Sequence, residues 1–333
     1  MSQVIATARP AAPALWRPGR GLTTVLLLAA LSCSYALLAP RFLGMGNVSN
    51  ILRNASLIAI VATGQMFVIA VGGLDLSIAA VIALSSVVAA MAMVELMPIF
   101  VGHEAVVVLV GGAVSLGVGA LVGLFNALLI TRLKLVPLVA TLATWTLLAA
   151  FASWLTQGTP IYGLPTLLTH DIARSRPLGL PLQVHIYAAC LVVTIFFWYL
   201  TPFGRHLRSI GSSPLSAKAA GVRTDLTELS AYTICSMLAG LCGFLLTAQV
   251  GSGDPSLGQS FLMDSIAGAI LGGTVLKGGR ARPELIFLGA LLLVIVTNGL
   301  NLVGMDSRLL TVAVGFILFG AAYLSGRTDR DLA

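Results

Sequence analysis

Ala105-Val-Val-Val-Leu-Val-Gly-Gly-Ala-Val-Ser-Leu-Gly-Val-Gly-Ala-Leu-Val-Gly-Leu-Phe-Asn-Ala-Leu-Leu-Ile130 runs without one charged side chain. That is longer than the ~20 residues a helix needs to cross ~30 Å of hydrocarbon. Working outward, nine further apolar segments follow the same reading: Gly21 to Ala39, Ala55 to Gly73, Leu76 to Met97, Leu135 to Leu155, His185 to Thr201, Leu229 to Val250, Phe261 to Leu276, Leu285 to Val303 and Leu309 to Leu324. The chain is 58% hydrophobic and only 9% charged, so one soluble core cannot hide its apolar surface. The expected class is an all-α polytopic membrane protein with about ten transmembrane helices. Residues 1–20 form a leader, 21–326 a single transmembrane domain and 327–333 a tail. The first segment follows Arg9, Arg17 and Arg20 but is too long for the apolar core of a secretory signal, so it reads as a retained span.

Charge gives the orientation. If all ten segments cross, Arg41, Arg53, Arg174, Arg176 and Arg308 lie on one side, and the other fourteen of the nineteen lysines and arginines lie with the N-terminus. The positive-inside rule then puts both termini in the cytoplasm. The net charge of +7 follows from this topology, and no basic patch with interleaved aromatics suggests nucleic acid. Ten crossings divide into five and five. Because five is odd, the halves would have opposite orientation, the arithmetic of two five-helix inverted repeats.

Several chemistries are excluded. Cys33, Cys190, Cys235 and Cys242 all fall inside apolar runs, and the four histidines are scattered near span ends, so no metal centre is expected. In Gly272-Gly-Thr-Val-Leu-Lys-Gly-Gly279 the lysine precedes the last two glycines, unlike a phosphate loop ending in Gly-Lys-Ser/Thr. With no nucleophile elbow or zinc-protease helix either, the chain reads as a non-enzyme without a cofactor of its own. Small residues four apart at Gly119 and Gly123, Ala239 and Gly243, and Gly268 and Gly272 suit close helix packing.

Two carboxylates need a reason, since an aspartate at a helix centre costs roughly 2.5 to 3.5 kcal/mol to insert. Asp75, after Gly72-Gly73 and before Leu76-Ser77, fits a position just ahead of a helix start, where it accepts N–H bonds. Asp264 reads the same way at the start of the eighth segment. A direct ligand role is the other reading of each. Among uncharged polar residues in the spans, Thr141 and Thr144 share a helix face, as do Asn298 and Asn301, while Gln65, Asn126 and Gln249 stand alone among aliphatics. They serve either interhelical hydrogen bonding or a path for an uncharged, hydroxyl-rich solute; no acidic ring suits a cation.

The polar island Gly204-Arg-His-Leu-Arg-Ser-Ile-Gly-Ser-Ser-Pro-Leu-Ser-Ala-Lys-Ala-Ala-Gly-Val-Arg223 lies on the cytoplasmic side. Ser213 suits an N-cap, Pro214 the first helical position and Gly221 a left-handed stop, which predicts a two-turn helix from Pro214 to Ala220. Leu215 and Ala219, one turn apart, give it a narrow apolar face for a docking partner. The same signals also fit an ordinary capped turn between spans.

Four motifs in order carry a resemblance. They are Val68-Ile-Ala-Val-Gly-Gly-Leu-Asp-Leu-Ser-Ile78; Asn126-Ala-Leu-Leu-Ile130 with Pro137 and Thr141-Leu-Ala-Thr144; Gly204-Arg205, Ile210-Gly211 and Ala220-Gly-Val222; and Asp264-Ser-Ile-Ala267 through Gly272-Gly-Thr274 to Gly278-Gly-Arg280. The chain resembles the permease subunits of ribose-, xylose- and arabinose-type ABC importers along nearly its whole length, with departures at Val136, Ala143, Ser212, Leu215 and Lys277. The resemblance implies a bacterial inner-membrane dimer with a second permease copy or a paralogue. It implies a cytoplasmic ABC ATPase with tandem nucleotide-binding domains, which holds the ATP and Mg, docked on the 202–228 segment with the island around Ser213 to Gly221 at its centre. A periplasmic or lipid-anchored binding protein would deliver a ribose-type monosaccharide, and transport would proceed by alternating access. The competing readings are an ion-coupled secondary carrier using Asp75 or Asp264, and ABC import of branched-chain amino acids or nucleosides.

Overall fold

The computed structural model describes residues 19–306 together with Leu309, Val312, Gly315 and Phe316. In chain order the helices are α1 (Gly19–Leu38), α2 (Met45–Ala70), α3 (Ile78–Leu96), α4 (Glu104–Thr131), α5 (Pro137–Thr156), α6 (Leu182–Ile195), α7 (Pro202–Ser212), α8 (Pro214–Ala219), α9 (Thr224–Val250), α10 (Gln259–Leu271) and α11 (Ile286–Leu302). Wider π-helical turns extend α6 through Phe196–Leu200. Among the described residues there is no sheet, only one bridge between Ile161 and Gly253.

The all-α polytopic expectation holds. Seven helices among the described residues are long and apolar enough to cross a membrane: Met45–Ala70, Ile78–Leu96, Glu104–Thr131, Pro137–Thr156, Leu182–Leu200, Thr224–Val250 and Pro283–Leu302. The expected tenth segment, Leu309 to Leu324, lies outside the described residues apart from the four named above, as do most of the leader and the tail. Two boundaries differ for physical reasons. The second segment begins well before the apolar run, at Met45, because its polar first turns, with Asn47, Asn50 and Arg53, remain helical.

The eighth segment is a correction. Its apolar run reaches Leu276, yet the helix stops at Leu271 and is 13 residues long. At 1.5 Å per residue that is about 20 Å, short of the hydrocarbon thickness. The stop is a glycine device: Gly273 at φ +89 donates to the Ile270 carbonyl and Thr274 N–H to the Ala269 carbonyl. α2 ends in the same way, with Gly72 at φ +85 donating to Ile69 and Gly73 to Val68. Both di-glycine pieces thus serve as helix stops, through the first glycine at Gly72 and the second at Gly273.

α4 and α9 form the central antiparallel pair, and their glycines set its closeness. A Cβ on Gly123 would stand 2.7 Å from the Thr233 Cα and the Tyr232 carbonyl oxygen, and one on Gly119 would stand 3.0 Å from the Met237 Cα. Ser115 Oγ closes the seam by donating to the Gly240 carbonyl at 2.7 Å. α2 lies inside, with every residue from Ala55 to Ala70 buried. α5 lies outside, turning Leu138, Val139, Leu142, Leu147, Phe151 and Trp154 outward, the pattern of a lipid-facing helix.

Gly279 N–H donates to the Ala70 carbonyl at 2.9 Å and packs against Ser212, so the Val275–Arg282 loop and α7 share one face. Cysteines introduced at Ser212 and Lys277 are therefore expected to react with an impermeant thiol reagent from the same side, and one at Arg174 from the other. Labelling of positions 212 and 277 from opposite sides would refute this arrangement.

Candidate functional site

Two features stand out, one at mid-depth and one on the α7–α8 face. The first grows from the break between α2 and α3. Past the Gly72 stop, residues 71–77 run non-helically back into the bundle until α3 starts at Ile78. Asp75, with no exposed surface, accepts on Oδ1 from Ser77 N–H at 2.9 Å and from Ser77 Oγ at 2.6 Å, and on Oδ2 from Ser236 Oγ at 3.3 Å. Asn126 Nδ2 donates to Ser77 Oγ at 2.8 Å, and Thr141 Oγ1 donates to the Leu74 carbonyl at 3.3 Å. Three helices, α4, α5 and α9, thus hold one unwound segment. Ser236 lies close to the midpoint of α9, which places the Asp75 carboxylate about halfway across the bundle. No ion pair to Asp75 is formed among the described residues; its partners are donors of hydrogen bonds.

The expectation of Asp75 just ahead of a helix start agrees with this geometry. Asp264 does not: α10 begins at Gln259, so Asp264 is the sixth residue of the helix, half-buried on its flank. The apolar periodicity began late because Gln259 and Ser260 form the first turn.

The polar residues expected along a path divide. Gln65, Asn126, Thr141 and Thr144 are enclosed within the protomer, and Gln65 Nε2, Asn126 Oδ1 and Thr144 Oγ1 have no hydrogen-bond partner. Asn298 is far from them, exchanging two side-chain hydrogen bonds with Asn47, at 3.0 and 2.9 Å. Asn301 is exposed, and Gln249 is half-buried with its Oε1 unpartnered. Sequence reasoning missed Ser77, Ser236 and Tyr232; the last is buried with its hydroxyl unpartnered, beside Gly73. The Gly72-Gly-Leu-Asp-Leu-Ser77 motif pointed to Ser77, but nothing local points to residues on α9.

The second feature is α8. Ser213 Oγ accepts from Ser216 N–H at 3.3 Å, Pro214 opens the helix, and Gly221 at φ +80 closes it with Gly221 N–H on Lys218 and Val222 N–H on Ala217. The expected helix is present, one residue shorter. Ala217 is its buried residue, and Leu215, 85% exposed, points away from the bundle on the same face as exposed Ala219. The remaining residues of the island fasten it to the bundle. Gly204 packs on the Trp198 carbonyl, Ile210 is buried and Gly211 meets Ala70 and Gly279, while Arg205 and Ser212 are exposed. Arg208 lies over the Trp198 ring at 5.6 Å. α7 is thus the anchor and α8 the displayed element.

The family described as branched-chain amino acid transport system / permease component matches residues 47–322. The ribose import permease protein of Bacillus subtilis is 34% identical over 290 residues, covering 87% of each chain. Its counterpart in Escherichia coli K12 is 31% identical over 294 residues, covering 86% of this chain and 87% of that one. The D-allose transport system permease protein of E. coli K12 is 30% identical over 305 residues, 90% of each. No solved structure matches the chain. A polytopic helical bundle with these relatives along almost its entire length belongs to the permease family of ABC importers.

Proposed function

We propose that the chain is the membrane subunit of an ATP-driven importer of a ribose-type monosaccharide, working by alternating access. The observation that carries the energy source is α8: a short helix capped at both ends, seated on an anchored α7, with Leu215 held outward and left largely uncovered by the described residues. Two turns do not persist alone, so a displayed helix of this kind is fitted to a partner. A cytoplasmic ATPase with tandem nucleotide-binding domains, holding ATP and Mg, is that partner, and the basic excess on this face supports a cytoplasmic orientation with both termini inside. A periplasmic or lipid-anchored binding protein delivers the solute, and a second permease copy or a paralogue completes the path.

The substrate class rests on the relatives named for ribose and allose import and on uncharged hydrogen-bonding capacity. Gln65, Asn126 and Thr144 each retain an unmatched polar atom, and such atoms suit sugar hydroxyls when the bundle opens. The test is reconstitution in vesicles with the ATPase and the binding protein. Labelled ribose is expected to accumulate only with ATP, and a sodium or proton gradient without ATP is expected to drive none. Gradient-driven uptake would instead establish a secondary carrier.

A further inference from the structure

The docking helix needs a route into the bundle, and the backbone supplies one. Three segments meet chiefly through main chain, with only the Ser212 hydroxyl beside Gly279: Gly211 near the end of α7, Ala70 to Gly72 at the end of α2, and Gly278-Gly279 in the Val275–Arg282 loop. Gly279 N–H donates to the Ala70 carbonyl at 2.9 Å. A Cβ on Gly211 would overlap the Ala70 carbonyl oxygen and the Gly279 nitrogen and stand 2.8 Å from the Gly279 Cα. One on Gly278 would stand 3.0 Å from the Gly211 Cα and 3.1 Å from both the Ala70 carbonyl oxygen and the Gly72 nitrogen. Ser213 N–H bonds to the Ser209 carbonyl at 3.0 Å, so α8 follows α7 with a single non-helical residue between them. On the other side of the contact, Ala70 leads directly into the unwound segment that carries Asp75.

We propose that Gly211, Gly278 and Gly279 are positioning residues for transport, forming a backbone junction that transmits movement of the docking helix to the Val71–Ser77 segment and the Asp75 cluster. Contact made almost wholly through main chain leaves few rotamers to absorb a displacement, so a push on α8 moves the end of α2 and the Val275–Arg282 loop as one body. The unwound segment is the compliant part beyond it. Its non-helical backbone is held by side-chain hydrogen bonds from α4, α5 and α9, which can exchange as the bundle changes shape.

This rests on the docking reading of α8, and two experiments separate the two. Gly211 has an ordinary φ, so Gly211→Ala tests space alone; Gly117→Ala, which meets nothing within 4 Å, is the control. In the reconstituted complex, Gly211→Ala is expected to keep ATPase copurification while lowering uptake at least tenfold and raising the ATP hydrolysed per sugar imported. A merely structural defect would lower hydrolysis and uptake together and leave that ratio unchanged, which would overturn the proposal. Should Gly211→Ala fail to accumulate, spin labels on a glycine-intact chain decide. The Lys218→Cys and Arg280→Cys pair is expected to keep one distance distribution on ATP addition, while the Lys218→Cys and Glu95→Cys pair shifts. A shift in the first pair, or none in either, would refute the junction. If Leu215→Asp leaves ATPase copurification intact, the docking reading itself fails; if it abolishes copurification and Gly211→Ala couples normally, only the junction fails.

Discussion

Asp75→Ala is expected to remove most of the folded permease from the membrane. The carboxylate accepts from Ser77 N–H, Ser77 Oγ and Ser236 Oγ in a fully buried setting, and alanine strands all three donors. Each buried unmatched group costs about 1–3 kcal/mol, so the loss amounts to several kcal/mol against a stability of roughly 5–15 kcal/mol. Asp75→Asn keeps one acceptor oxygen and the side chain's shape, and its effect is expected to fall between wild type and alanine. Detergent-extracted, monodisperse protein measured beside total expression reads the outcome. Normal abundance of Asp75→Ala with abolished uptake would give Asp75 a direct part in transport instead.

Leu215→Asp is expected to leave insertion and abundance unchanged and to abolish ATPase copurification and uptake together. Leu215 is 85% exposed, so its side chain adds little to the packing of the bundle. In the proposed complex it is the apolar contact, and burying an unpaired carboxylate there costs several kcal/mol, or a loss of affinity of roughly 10²-fold or more. Copurification is measured against the Gly117→Ala control in the same detergent. Wild-type stimulation of the ATPase by Leu215→Asp would reduce α8 to an ordinary turn.

Local features were the legible ones. Ser213, Pro214 and Gly221 each act through neighbours within about five residues, so capping chemistry alone located α8, and run length alone located the long spans. The eighth span misled because hydropathy measures solubility in lipid while Gly272 and Gly273 decide where the helix ends. Gly272 is also required by packing, since a Cβ there would stand 2.7 Å from the Ile286 Cα. Asp75 was legible as a helix-start residue, but its depth follows from Ser236, 161 positions away, and no periodicity reports such a partner. Asn298 was grouped with Asn301 by helical spacing; pairing with Asn47 on another helix sets its place. The polar cluster is thus a product of tertiary contact among α2, α4, α5 and α9, and each residue taken singly looks like a bland substitution in an apolar run.

The α4–α9 seam sets a timetable for synthesis. α4 ends at Thr131 and α9 starts at Thr224, so α4 is complete about ninety residues before its partner begins. At ~5–20 residues per second that interval is roughly 5–20 s. Throughout it the groove at Gly119 and Gly123 and the Ser115 hydroxyl face lipid or the insertion machinery, because their matching surface at Tyr232 to Gly240 has not been made. The newborn chain must therefore be held open at a closely fitting surface, and the span that fills it arrives into a gap already shaped for it.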